Sequence, residues 1–265
     1  MNLKSKYGNT ALVAGASEGM GAAFSRYLAA QGMDLIIVAR RSRPLQQLAD
    51  SLMNAFQIKV TCITCDLSEA NAADQLQAAV NGKEINLLVY NAGLSYIGAF
   101  EKNSAAHNLQ ITTTNIVTPM NLIQLFSEQM IQKKLRAVIF MSSLAGFQGS
   151  GNLAVYAGTK AFTRVFAESL WYEWKNRGVD IIACCAGATS TPNFINTNPE
   201  KSNLFAPKVQ TPEAVVMECF KKLGKQPSVI TGSGNKVASF IMQKILPRKM
   251  AVNIMGDATK KLYRL

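Results

Sequence analysis

The sequence predicts a doubly wound α/β fold, a single domain in which about seven parallel strands carry helices on both faces. Three observations predict it. Short β-branched and aliphatic runs without polar alternation recur along the chain and alternate with longer amphipathic stretches, the pattern of strands buried on both faces. The first run passes directly into a glycine-rich turn, Gly15-Ala16-Ser17-Glu18-Gly19-Met20-Gly21. The chain has 265 residues, 48% hydrophobic and 17% charged, which supplies one large core, and no linker or repeat divides it.

The elements follow in order. A strand over 11–14 leads through the glycine turn to a helix over 20–31. Strand 35–39 precedes helix 43–56, and strand 60–64 precedes helix 70–81. Strand 87–90 is followed by a long helical pattern over 104–133, strand 137–141 by helix 155–176, and strand 180–184 by helix 211–223, with a last strand at 228–231. Repeated β-α-β units of right-handed crossover make a parallel sheet that binds ligands at the carboxyl ends of its strands. Two connections, 144–155 and 189–210, are too long for simple turns and are expected to cover a site. The second is read as a lid. Pro192, Pro199 and Pro207 are taken to forbid regular structure there, Asn193, Asn196, Asn198 and Asn203 favour turns, and Phe194, Ile195, Leu204 and Phe205 need an apolar partner.

Charge is unevenly distributed. The net charge is +12, and from Lys236 onward seven basic residues face a single acid, Asp257, so half of the excess sits on a tail over 236–265. Phe240, Ile241, Ile245 and Leu246 make that tail amphipathic. A solvated helical face is preferred there to contact with an acidic membrane surface or acidic partner. The basic residues have no aromatic platform beside them, so no nucleic-acid partner is expected. The uncharged stretch 137–159 holds serines, Gln148, Asn152 and four glycines, which excludes a transmembrane segment, and residues 1–10 lack the apolar run of a leader. Five cysteines, an odd number at low density, suit reduced thiols and a cytoplasmic setting. Cys62 and Cys65 lie three apart along a strand and so point to opposite faces, Cys184 and Cys185 end a strand, and His107 is read as a helix-surface residue. No metal site is expected.

The glycine turn sits where a phosphate cradle needs it. Glycines let the backbone approach a pyrophosphate, and the following helix offers free N–H groups and a favourable dipole. Its G-x-x-x-G-x-G spacing is joined downstream by Asp66-Leu67, by Asn91-Ala92-Gly93, by Asn115 within a helix, by Met141-Ser142-Ser143 and by Tyr156-Ala157-Gly158-Thr159-Lys160. In this order and spacing they resemble the short-chain dehydrogenases/reductases, along nearly the whole chain. A weaker similarity to bacterial 7-hydroxysteroid dehydrogenases runs from Gln210-Thr211-Pro212-Glu213 to Gly232 and includes Lys6-Tyr7-Gly8.

The resemblance implies a Rossmann-like domain and a set of roles. Tyr156 is the acid–base. Lys160, one turn later, brings a positive charge that favours phenolate, and also holds the nicotinamide ribose. Ser143, thirteen residues before Tyr156, is the serine that orients the substrate oxygen, in preference to Ser142. Asn115 orders a water beside Lys160 and relays protons. The cofactor is held by Gly15, Ser17, Gly19, Met20 and Gly21, by Asp66 and Leu67 at the adenine, by Asn91, Ala92 and Gly93, and by Tyr156 and Lys160. Gly187, Thr189 and Thr191 align with the segment at the nicotinamide carboxamide and diphosphate, although Ala186-Gly187 stands where the family has Pro-Gly. At the end of strand two the family's register places neutral Ala39 where an acid would bind a ribose 2′-hydroxyl. Arg40 and Arg41 follow, with Ser17 in reach, and suit a 2′-phosphate, so NADP(H) is the expected cofactor.

Leu94, Tyr96, Phe147, Leu153, Phe194, Ile195, Leu204 and Phe205 make an apolar wall, so the expected substrate is a mostly apolar ketone or secondary alcohol. The resemblance further implies a homodimer or homotetramer. Two other readings compete. A noncatalytic NADP-binding sensor or scaffold would have no need of Ser143, Tyr156 and Lys160 together. A sugar-nucleotide epimerase needs a larger C-terminal domain than the roughly eighty residues after strand six provide.

Overall fold

The structure is a computed structural model that describes residues 2–200 and 208–265. A short helix, α1 (Leu3–Tyr7), precedes β1 (Thr10–Ala14). Then come α2 (Gly19–Ala30), β2 (Asp34–Ala39), α3 (Ser42–Phe56), β3 (Val60–Thr64), α4 (Ala72–Val80) and β4 (Leu87–Tyr90). The second half holds α5 (Ala105–Thr112), α6 (Thr118–Lys133), β5 (Arg136–Ser143), α7 (Ala154–Trp174), β6 (Val179–Ala186), α8 (Pro192–Asn196), α9 (Pro212–Lys222), β7 (Ser228–Ile230), α10 (Ser233–Phe240) and α11 (Arg248–Tyr263). All seven strands are parallel, in the order β3-β2-β1-β4-β5-β6-β7. The order reverses between β1 and β4, which opens a crevice at their carboxyl ends.

Successive strand residues point to opposite faces and feed two cores. Ala11, Val13, Leu35 and Ile37 pack under Phe24 and Leu28 of α2, Leu45, Leu48 and Leu52 of α3, and Val215, Val216 and Cys219 of α9. Leu12, Ile36 and Val38 pack under Leu76 and Val80 of α4, Leu122, Phe126 and Met130 of α6, and Leu170 and Trp174 of α7. The edge strand β3 departs from the double-sided burial expected of it. Val60, Thr61 and Cys62 are half-buried and Thr64 is exposed, because β3 is the edge of the sheet and pairs only with β2.

Other differences have local causes. The predicted helix over 104–133 is broken by a π turn, Thr113–Val117, which separates α5 from α6. Helix α8 begins at Pro192 inside the segment read as proline-blocked. At the first turn a proline loses no hydrogen bond, and Thr191 caps the helix by accepting from the Phe194 amide at 3.3 Å. Leu204, Phe205, Asn203 and Pro207 of that segment lie outside the described residues. The amino rim of the sheet is tied by charge. Lys6 Nζ and the Tyr7 hydroxyl both donate to Asp180 Oδ2, at 2.5 and 2.7 Å, and Arg136 pairs with Glu84. Burial and the Asp180 carboxylate push the Tyr7 phenol far above its usual range. Among the described residues no helix is long and apolar enough to cross a membrane, and no cluster of potential metal ligands occurs. The five cysteines are free thiols, with Cys62 only half-buried.

Candidate active site

The glycine turn is built for close approach. Gly15 has φ +79°, and a Cβ there would lie 2.6 Å from the Ala92 amide nitrogen. A Cβ on Gly21 would collide with the Gly15 carbonyl oxygen. The Asn91 side chain donates to that same carbonyl at 2.8 Å, and the Asn91 and Ala92 amides both donate to Ala14 O, which joins the turns after β1 and β4. Glu18, the residue before α2, makes no capping hydrogen bond, so no side chain of its own competes for the first-turn amides. Ser17 is half-buried in this turn and Met20 is buried at the start of α2.

At the carboxyl end of β2, Arg40 and Arg41 are exposed. Arg41 pairs with Glu18 at 2.8 Å and makes a long 3.5 Å contact to Ser17 Oγ. Arg40 acts on Asp66, whose carboxyl is held below its ordinary value mainly by the Ser68 amide and hydroxyl, with Arg40 adding to the effect against burial. Leu67 is buried and its carbonyl accepts from Thr118 Oγ1 at 2.9 Å.

Ser143 ends β5, and its hydroxyl accepts from the Ala145 amide at 3.2 Å. Ser142 points the other way: it is buried and donates to the Lys160 carbonyl at 2.7 Å, fastening α7 to β5. Burial raises the Tyr156 phenol above its ordinary value, and a hydrogen bond with Ser143 works against that rise. Lys160 is buried, donates to Met141 O at 2.8 Å, and has its Nζ 5.7 Å from the centre of the Tyr156 ring. Burial brings its ammonium down to about 8, with Cys185 pulling the other way. In this arrangement the phenol is governed by burial and Ser143. The lysine is desolvated and turned to the Met141 carbonyl.

Asn115 sits in the π turn, a helix irregularity common at functional sites. Its side chain makes a two-way bridge to Leu94, accepting from the amide and donating to the carbonyl, each at 2.9 Å, and also donates to Thr159 Oγ1 at 2.9 Å. A Cβ on Gly93 would lie 3.3 Å from Lys160 Nζ and 3.5 Å from Asn115 Oδ1, so the three residues converge. Thr189 is buried, donates to Gly187 O at 3.0 Å, and bridges to Gln210, which joins the two ends of the segment 189–210. Thr191 lies over the glycine turn, where a Cβ on Gly19 would approach its Cβ to 3.0 Å.

Three contributors escaped the sequence reading. Asn235 of α10 packs on Gly187, where a Cβ would come within 2.5 Å of its Nδ2, and it donates to Thr231 O at 2.8 Å. Thr159 holds Asn115, and the Met141 carbonyl holds Lys160. Only Thr159 carried a signal, being inside the tyrosine–lysine motif. Of the expected apolar wall, Leu94, Tyr96, Leu153 and Phe194 are half-buried, while Ile195 is exposed. Phe147 instead lies under the Arg164 guanidinium at 4.6 Å and lines an open groove of about 490 Å³ along β7 with Ser228, Ile230 and Lys236. Helix α11 is docked on this loop through Arg248 to Phe147 O at 3.1 Å and Ser150 to Thr259 at 3.0 Å. His107 is half-buried, not simply on a surface, with Nδ1 2.8 Å from Asn103 Oδ1 and its ring edge-on to Tyr96.

Residues 9–202 match the family described as short chain dehydrogenase, and the chain belongs to that family of oxidoreductases. It is 32% identical to a 7β-hydroxysteroid dehydrogenase of Mediterraneibacter gnavus over 240 residues, covering 90% of this chain and 91% of that protein. A 7β-hydroxysteroid dehydrogenase of Collinsella aerofaciens is also 32% identical, over 238 residues, covering 89% and 90%. The solved structure of a 7β-hydroxysteroid dehydrogenase, studied for its stereoselectivity, superposes with a TM-score of 0.89 at 29% identity and covers 96% of this chain and 99% of that one.

Proposed function

We propose that this oxidoreductase transfers a hydride between NADP(H) and a mostly apolar ketone or secondary alcohol of hydroxysteroid-like character. The observation that supports the reading most is the convergence of buried Lys160, 5.7 Å from the Tyr156 ring, with Asn115 and Gly93 at the carboxyl end of the strands. The 7β-hydroxysteroid dehydrogenase relatives support the substrate class.

The residues fit a dinucleotide. The uncapped start of α2 and the glycines at 15, 19 and 21 suit a pyrophosphate, Asp66 and Leu67 the adenine, Arg40 and Arg41 a 2′-phosphate, and Thr189 and Thr191 the nicotinamide end. When bound, the cofactor supplies or accepts the hydride. Ser143 donates to the substrate oxygen and fixes it beside Tyr156. Tyr156 gives that oxygen its proton in reduction and takes it back in oxidation. Lys160, poised near 8, returns protons to the phenol and holds the ribose. Asn115 keeps Leu94 in place at the edge of the site.

The test is a screen of NADPH and NADH consumption over apolar ketones, aldehydes and oxo-steroids, run beside Tyr156→Phe. Turnover with an apolar ketone is expected, lost by more than about tenfold in the variant, or 1.4 kcal/mol of transition-state stabilisation, with cofactor binding retained. No turnover with either cofactor across the panel, or a variant that keeps its activity, would overturn the reading.

A further inference from the structure

Helix α10 is amphipathic in the reverse sense. Its buried positions are Asn235 and Ser239, whereas Val237 is 61% exposed and Phe240 59%. The following π turn, Ile241–Ile245, continues the pattern, with Ile245 62% exposed and Ile241 also turned outward. The inward polar groups are employed. Asn235 donates to Thr231 O and Gln243 to Ser239 O, so this orientation is fixed by hydrogen bonds and leaves the apolar side in water. Met250 at the start of α11 extends the ridge.

Lys244, Arg248 and Lys249 flank the ridge, are exposed, and enter no ion pair among the described residues. Lys236, at the other end, pairs with Glu218. Over 236–265 the sole acid is Asp257. The solvated charged face expected from the sequence is therefore an apolar ridge with cations on its margins.

We propose that this ridge is a peripheral docking surface for an anionic lipid bilayer. Exposed apolar side chains beside lysine and arginine match the headgroup–acyl boundary, and a lipid surface needs no complementary groove. A second copy of the chain fits worse, because self-apposition would set Lys244, Arg248 and Lys249 against their own kind. The ridge adjoins the candidate site: Asn235 packs on Gly187, and Arg248 holds the Phe147 carbonyl. Docking there would bring the mouth of the site close to a phase in which apolar ketones dissolve.

The full-length chain is to be co-sedimented with vesicles of phosphatidylcholine and phosphatidylglycerol, and with vesicles of phosphatidylcholine alone, in low and high salt. Binding to the anionic vesicles is expected to be about tenfold or more the stronger, and to fall as salt screens the cations. Phe240→Ser with Ile245→Ser, and separately Lys244→Glu with Lys249→Glu, should each cut it by about tenfold while circular dichroism and thermal unfolding stay unchanged. Equal binding to neutral and anionic vesicles, no binding, or full binding by both folded variants would overturn the proposal. So would a solution oligomer that Phe240→Ser with Ile245→Ser dissociates, since a second copy would then cover the ridge. None of these readouts depends on catalytic turnover.

Discussion

Arg41 turns back across the glycine loop and meets Glu18 at 2.8 Å. One of the two guanidiniums expected at a 2′-phosphate is thus engaged by an acid of the phosphate loop itself. Both partners are about half exposed, so the pair is worth only about 0–1 kcal/mol and a phosphate can compete for it. Arg40→Leu should weaken NADPH by about tenfold with little effect on NADH, the loss of a charge-assisted contact. Glu18→Gln should tighten NADPH a few-fold at low salt by releasing Arg41. Fluorescence titration of both cofactors decides the matter, and equal affinities in the unaltered protein would refute the preference.

Lys160 predicts a pH signature of stability. Its folded value of about 8 lies below the ordinary 10.5. Below pH 8 both folded and unfolded chains hold the proton, and the folded state bears the cost of burying it. As pH rises through 8 the folded site releases the proton while the unfolded chain keeps it to 10.5, so this group adds stability with rising pH. Lys160→Met removes the effect. Urea unfolding at a series of pH values should show the variant more stable near neutrality, its advantage shrinking by up to about 3 kcal/mol by the upper end of that window. A difference independent of pH would contradict the buried, depressed ammonium.

Two glycines separate backbone need from mere tolerance. Gly21→Ala drives a methyl into the Gly15 carbonyl, and neither backbone segment has room to move, so a loss of about 1–3 kcal/mol is expected together with loss of cofactor binding. Gly158 lies in α7 with no neighbour within 4 Å of an added Cβ. Gly158→Ala should raise stability by about 0.5–1 kcal/mol through helix propensity. Thermal unfolding of the pair measures both, and a destabilised Gly158→Ala would contradict the open space at that site.

The lid is testable over 192–200. The Thr189–Gln210 bridge joins the two ends of the segment 189–210, while Ile195 stands 60% exposed and Phe194 half-buried within it. Amide hydrogen exchange of this stretch should be fast in the ligand-free protein and slow with NADP(H) and an apolar ketone bound. Slow exchange that ligands leave unchanged would mean a fixed wall.

Much of this was legible in the chain for physical reasons. Strand 87–90 was readable to the residue because a two-sided sheet forces a continuous apolar run between polar breaks. The grouping of Ser143, Tyr156 and Lys160 was legible as spacing. What carried no signal was main-chain partnership, as at Met141 O, and the direction of α10, whose apolar residues were read only as part of an amphipathic tail and face outward. Helix α8 was missed because three prolines were counted as breakers without asking which one stood at a first turn.

The π turn at Thr113–Val117 means that the corner holding Asn115 depends on chain length as well as identity. Leu122, Phe126 and Met130 of α6 are committed to the sheet, so the helix beyond the turn cannot rotate. Deleting one residue between 113 and 117 would restore regular winding and swing the preceding segment by about 100°, one residue's share of an α-helical turn. Asn115 would leave Leu94, and α5 with His107 would turn away from Tyr96. An indel there would dismantle the corner without replacing any of the side chains that form it.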